Sequence, residues 1–372
     1  MFFIRLERKL PAHELPLTGI QKMRLLYFFT LAVFIPFMGY SQDPQVTQNY
    51  ALPLNMNPAF AGISNNVNVN LMHRNQWPNL TSNYQFSAMS VDIGIQKYKS
   101  GLGLLITSDS QFSALTTSSL ALQYAYHISL TEDYSLSMGM QGAYVNRSLS
   151  PENLVFGDQL AGYLGSGGVD ATSNDLIPLT PSFTNPSYVD LSVGSMLYSG
   201  KHWIGVSAHH LNQPNQSLVS NSTSALDMRL SVQMGTKIAL GNSSYEGNDP
   251  ENALNYEKSI SPIIHFKKQG MFSQLDVGTY LTVAPLVIGI WYRNFPIGLP
   301  STEKLDTQES MTGLIGFRKD KFALGYSYDF TPSKLAPSGG AHEITLSYVF
   351  GFNLFPNKYD KSLSRSLACP KF

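Results

Sequence analysis

The chain has 372 residues with 25 basic and 25 acidic side chains, so its formal net charge is zero. That balance excludes the basic excess that phosphate backbones demand, and no nucleic acid is expected as a partner. Only 13% of residues are charged, against roughly 25% in ordinary soluble proteins, while a mean hydropathy of -0.08 excludes a polytopic helical membrane protein.

Residues 23–42 read as a secretory signal. Arg24 is the charged start, 25–37 the apolar core, and Gly39 and Ser41 the small −3 and −1 cleavage positions. The competing reading, an anchor helix, needs about 20 apolar residues and this core is shorter. Residues 1–41 are therefore expected to be a signal peptide with an N-terminal extension. Residues 42–65, with the turn-like Asn57-Pro58, precede the first strand and are expected to lie outside the barrel, in the periplasm.

From 66 onward the chain alternates large apolar with small polar residues. Val67, Val69 and Leu71 alternate with asparagines. Leu120, Leu122, Tyr124 and Tyr126 alternate with Ser119, Ala121, Gln123 and Ala125. Phe322, Leu324, Tyr326 and Tyr328 alternate with Ala323, Gly325, Ser327 and Asp329. A period of two is the mark of a strand with two different faces. A soluble sandwich would place long charged side chains on its wet face; Gly, Ala and Ser instead suit lipid outside and a crowded or water-lined lumen inside. No later apolar stretch approaches helix-spanning length, so any insertion must be as a closed barrel, which satisfies every backbone group in lipid. The runs add up to about fourteen strands over 66–352. The fold expected is an all-β transmembrane antiparallel barrel in the outer membrane of a Gram-negative cell, in contact with its lipid.

The connections support this phase. Residues 98–100, 129–133, 199–201 and 318–320 are short turns, whereas 148–186, 212–224, 295–309 and 331–340 are longer, rich in Pro, Gly, Asn and Ser, and expected to face outward. One pair breaks the rule: 240–259 is long where a turn belongs, and 268–270 is short where a loop belongs. The tail 353–372 is surplus to closure and is expected to be periplasmic.

Chemistry is scarce. There is no nucleophile elbow, and Gly101-Leu102-Gly103 lacks the third glycine of a dinucleotide fingerprint. His209 and His210 are adjacent on a strand and point to opposite faces, so they cannot share a metal without a bend. Barrel lipases carry a Ser/His pair on the outer wall, but the serines in these runs alternate inward. The single cysteine, Cys369, excludes a disulfide framework and a Cys-rich metal site. No catalytic, cofactor or metal residue is expected, and the protein is read as non-enzymatic. Arg74-Asn75-Gln76-Trp77-Pro78, at the outer end of the first strand, is either an interfacial tryptophan with a loop-starting proline or a partner-binding site.

Taken together, the motifs resemble the PorP/SprF family of type IX secretion and gliding-motility outer-membrane proteins of Bacteroidota. The resemblance runs through Asp43-Pro44, Gln48, Tyr50 and Asn57-Pro58-Ala59; then Arg74 to Pro78; Phe156-Gly157-Asp158; His209-His210-Leu211 with Gln213-Pro214-Asn215; and Trp291-Tyr292-Arg293. It closes with Gly325 to Asp329, Ser338 to Gly340 with His342-Glu343, and Cys369 to Phe372. It implies help in secreting, or anchoring at the surface, a large adhesin-type cargo through that cargo's C-terminal domain, together with contacts to periplasmic machine components. Candidate partner-binding residues are Asn57, Pro58, Arg74, Asn75, Gln76, Trp77, Phe156, Gly157, Asp158, His210 and Asn215. The alternative is a diffusion pore or fatty-acid-type transporter; inner faces rich in Ser, Ala, Gly and Asn and poor in charge fit a plugged lumen better.

Overall fold

A computed structural model describes residues 42–64, 66–80, 83–150, 184–241, 257–293, 310–330 and 336–351. The strands are β1 (Val67–Gln76), β2 (Tyr84–Ile95), β3 (Ser100–Gln111), β4 (Leu115–Ser129), β5 (Ser135–Leu149), β6 (Ser187–Tyr198), β7 (His202–His209) and β8 (Arg229–Thr236). They continue with β9 (Ile238–Ala239), β10 (Lys258–Gln269), β11 (Phe272–Val283), β12 (Leu286–Arg293), β13 (Ser310–Lys319), β14 (Phe322–Phe330) and β15 (Ala341–Phe350). Every pairing joins antiparallel neighbours, and β1 meets β15 along its whole length from Val67↔Phe350 to Gln76↔Ala341, so the sheet closes on itself. β8 and β9 both pair with β10 and form one stave interrupted at Lys237. The result is a closed fourteen-stave antiparallel barrel. It is the fold of an outer-membrane barrel, with spanning strands, and no helix among the described residues is long and apolar enough to cross a membrane.

The two-residue period decides which side chain meets lipid. In β13 buried and exposed positions alternate without a break, and in β14 Phe322, Leu324 and Tyr326 are exposed while Ala323, Gly325 and Ser327 are buried. Across the wall the inversion is large: Leu122 is 66% and Met140 60% exposed, whereas Ser137 and Gln233 are 0% exposed. Water over that apolar belt would cost about 25 cal/mol per Å²; lipid removes the cost.

The short turns lie on one rim and the long connections on the other. Both irregular connections are real: β9 ends on the turn rim and β10 begins there at Lys258, with 242–256 outside the described residues, and Gly270-Met271 makes a tight link on the loop rim. Phe112 to Ala114 is a second tight link on that rim.

The chain ahead of β1 is the main departure from the sequence reading. Residues 42–64 do not lie outside the barrel; they thread its lumen. Three short helical turns, Asn49–Ala51, Pro53–Met56 and Pro58–Phe60, carry the chain down the interior. Leu52, Leu54, Ala59 and Ala61 are all fully buried. The physical reason is composition. Asp43 is the one charged residue between 42 and 64, and a segment so apolar gains by burial, while inward Gly, Ser and Ala leave the room to take it.

Candidate functional site

The site is the lumen where this segment is held. Its upper part is an ionic knot on the inner wall. Arg74 on β1 donates from Nη2 to Asp329 Oδ2 at 2.7 Å and from Nη1 to Glu343 Oε2 at 3.2 Å. Arg293, the last residue of β12, donates to the same Asp329 oxygen at 3.1 Å. Thr312 Oγ1 donates to the other Asp329 oxygen at 2.8 Å. Two guanidinium groups and two carboxylates balance, as buried charge requires. The segment completes the knot. Thr47 Oγ1 takes one hydrogen bond from each arginine at 2.8 Å. The backbone N–H groups of Thr47 and Gln48 donate to the two oxygens of Glu343 at 2.9 and 2.6 Å. The Gln48 amide bridges Ser327, the Glu343 carbonyl and Thr345. Five wall strands, β1 and β12 to β15, and the segment thus share one buried network.

A second clamp lies nearer the loop rim. Asp43 Oδ2 is 2.6 Å from Arg229 Nη1 and 2.8 Å from His210 Nε2, and Oδ1 accepts from Gln269 Nε2 at 3.1 Å. The other ring nitrogen of His210 meets Asp190 Oδ2 at 3.0 Å. Burial alone would raise the Asp43 carboxyl, but Arg229 and His210 outweigh it and hold it well below the usual carboxylate range. Burial likewise opposes charge on His210, yet Asp43 and Asp190 prevail and push that imidazole up to about 9.

The lower part is held by packing. Tyr50 sits edge-on to Trp203 and Tyr280, with centroids 6.1 and 6.4 Å away, and Trp203 Nε1 donates to its hydroxyl at 3.2 Å. Asn57 caps the next turn, accepting from Ala59 N at 2.9 Å, and its amide donates to the wall carbonyls of Val206 at 3.2 Å and Ser195 at 3.3 Å. A Cβ on Gly194 would collide with the Asn57 side chain, and one on Gly139 with the Pro58 backbone, so glycine is what lets the turn reach the wall. Ser137 and His127 hold the carbonyls of Ala59 and Ala61 near the turn rim.

The residues picked out from sequence therefore divide. Asn57, Pro58, Arg74 and His210 converge on the lumenal segment. Gln76 supports Arg74, accepting from Nη2 at 3.1 Å. Asn75 accepts from Asn83 at 3.0 Å. Trp77 is on the rim: its N–H donates to Gly340 O at 2.7 Å and its ring packs edge-on to Tyr84 at 5.2 Å, which in turn meets Phe112 at 4.5 Å. Asn215 shapes its own loop, accepting from Ser217 N and Ser224 N. Phe156, Gly157 and Asp158 lie outside the described residues.

Three readings are corrected. The inner wall is not poor in charge. His210 lies just past β7 with a φ of 59°, so the two are not both on a strand; His209 Nε2 is engaged by Met56 O and both nitrogens of His210 by Asp43 and Asp190. Not every serine faces inward. Ser87 is outside on β2, bonded to His73 Nδ1 directly across on β1 at 2.9 Å, and the pair satisfies two polar groups where the wall nears the loop rim.

With this geometry in place, comparison with known proteins gives the family. The model for "Type IX secretion system membrane protein PorP/SprF" matches residues 38–348. The chain belongs to the PorP/SprF family. Its closing residues, Cys369 to Phe372, fall outside that match. Among solved structures, Omp33 of Acinetobacter baumannii is 10% identical, with 78% of this chain and 100% of that chain covered at a TM-score of 0.38. The toluene transporter TodX of Pseudomonas putida is 11% identical, with 84% and 96% covered at 0.41. The monoaromatic hydrocarbon channel CymD is 12% identical, with 84% and 95% covered at 0.41. No curated protein matches the chain.

Proposed function

We propose that this barrel is a docking scaffold of the type IX system that assists secretion or surface anchoring of a large adhesin-type cargo by holding the cargo's C-terminal domain. Trp77, Asn215 and the 148–186 loop with Phe156, Gly157 and Asp158 form the docking face. Arg74, Asn57, Pro58 and His210 act beneath it, fixing the lumenal segment. The turn rim and the tail from 353 face the periplasmic components. The reading is non-enzymatic and uses no cofactor.

One observation carries it: the interior is occupied by the chain's own segment, tied at both ends, which leaves a rim rather than a conduit as the working surface. The test is deletion of the gene with surface display of each type IX cargo measured in intact cells. Loss or shedding of one large adhesin is expected, restored by the wild-type gene; unchanged display of every cargo would overturn the reading. Planar-bilayer recording addresses the pore alternative. Brief or no openings fit a plugged scaffold, and a steady open channel favours a pore.

A further inference from the structure

The lumenal segment has a direction. Asp43 is held by His210, one residue past the end of β7, by Arg229, the first residue of β8, and by Gln269, the last of β10. All three positions are on the loop rim. Thr47 lies one step deeper, among Arg74, Arg293, Asp329 and Glu343. Ala61 and Gly62 are at the opposite end, where His127 takes the Ala61 carbonyl and Asp92 accepts from the Gly62 N–H at 3.2 Å. The chain then turns into β1 on the turn rim.

A periplasmic N-terminal segment would enter beside β1 and leave on the same side. Here the chain crosses the barrel twice, once inside the lumen and once in the wall. Gln42 and Pro44 are exposed on either side of the clamped Asp43. We infer that residues 42–44, the amino end of the exported chain where the signal is cut after Ser41, lie on the loop-rim face, among the docking loops, and that the Asp43 clamp holds them there. Its being the cargo-facing side rests on the reading above; its sharing a rim with the long loops does not. A cargo domain seated on that rim would meet the amino end directly.

Three single-cysteine variants test this in a Cys369→Ser background: Gln42→Cys, Thr223→Cys on the 210–228 loop, and Gly351→Cys just past β15 on the turn rim, all at exposed positions. The probe is a membrane-impermeant polyethylene-glycol maleimide on intact and permeabilised cells, read as a gel shift. Expected is labelling of Gln42→Cys and Thr223→Cys in intact cells and of Gly351→Cys after permeabilisation alone. Pro44→Cys replaces Gln42→Cys if that variant fails to accumulate. Gln42→Cys behaving like Gly351→Cys overturns the inference, as does equal labelling of all three in intact cells. Protection of both Gln42→Cys and Thr223→Cys with labelling of Gly351→Cys leaves the shared rim standing and overturns the docking orientation instead.

Discussion

From Asp43 to Gln48 the lumenal segment is held by charges and hydrogen bonds; from Tyr50 to Gly62 it is held by rings, buried alkyl groups and glycine-backed contacts. The two halves respond differently to damage. A buried ion network is nearly neutral in net stability while intact, but costly when one member is lost, because its partners remain buried and unpaired. A packed half loses stability in proportion to the atoms removed. The upper half therefore fixes where the segment sits, and the lower half supplies most of the favourable energy.

The sharpest way to break that contrast is Arg74→Met. It leaves Asp329 with Arg293 as its one guanidinium partner and removes the sole guanidinium donor to Glu343 among the described contacts. A loss of about 3–5 kcal/mol is expected, read as a lower urea midpoint in detergent with an unchanged m-value. A shift under 1 kcal/mol would mean that the knot is dispensable. Tyr50→Ala, in the packed half, should cost about 3 kcal/mol and loosen the segment without unfolding the barrel. Proteolysis with heat-modifiable gel mobility separates those outcomes.

Gly194→Leu drives a side chain into Asn57 from the wall side. A cost of about 1–3 kcal/mol is expected, with more frequent channel openings in planar bilayers as the turn is pushed off the wall. Silent bilayers with an undisturbed segment would show that the wall yields instead.

The smallest effect is the pH response of the Asp43 clamp. His210, raised to about 9, contributes stability that is complete below its ordinary value of 6.5 and fades as pH rises through about 9. Asp43, held low, contributes stability that is complete above its ordinary value of 3.8 and fades as pH falls below it. Between those limits the clamp is at full strength. In Asp43→Asn the alkaline loss should shrink, by about 1 kcal/mol at pH 9, measured as urea midpoints at pH 6 and pH 9 for both proteins. An equal alkaline loss in the two would assign the response elsewhere.

The wall was legible because lipid enforces alternation, plain in runs from Val67, Val69 and Leu71 to Ile344, Leu346 and Tyr348 and less regular where Trp203, Ile263, Tyr280 and Trp291 turn their bulk inward. The segment was not. Residues 43–62 have no period, and their hydrogen-bond partners stand far away in sequence, 226 positions for Asp43 with Gln269 and 295 for Gln48 with Glu343. A signal was nevertheless present. Arg74, Asp329 and Glu343 fall at inward positions of their strands, and opposite charges on an inner wall need partners. Gly139 and Gly194 also face inward and mark places where another backbone comes close. Trp77 could be placed at a rim from its sequence context. Its packing on Tyr84 and Phe112 depends on two tight rim links that no local pattern predicts.

The seam between β1 and β15 joins the first and last staves of the wall. Since residues 43–62 end up enclosed by a cylinder whose first stave follows them directly, we expect a preferred order of assembly. In that order the segment would be laid down first, the staves would curl around it, and the terminal hairpin β14–β15 would zip onto β1 last. An insertase acting on this chain would receive a cylinder already loaded. A chain whose leading end arrived late would have to pull it through a finished, crowded bore. A pulse-chase of the Arg74→Met protein should accordingly show delayed sealing, seen as slow appearance of the heat-modifiable form, before any defect in cargo display.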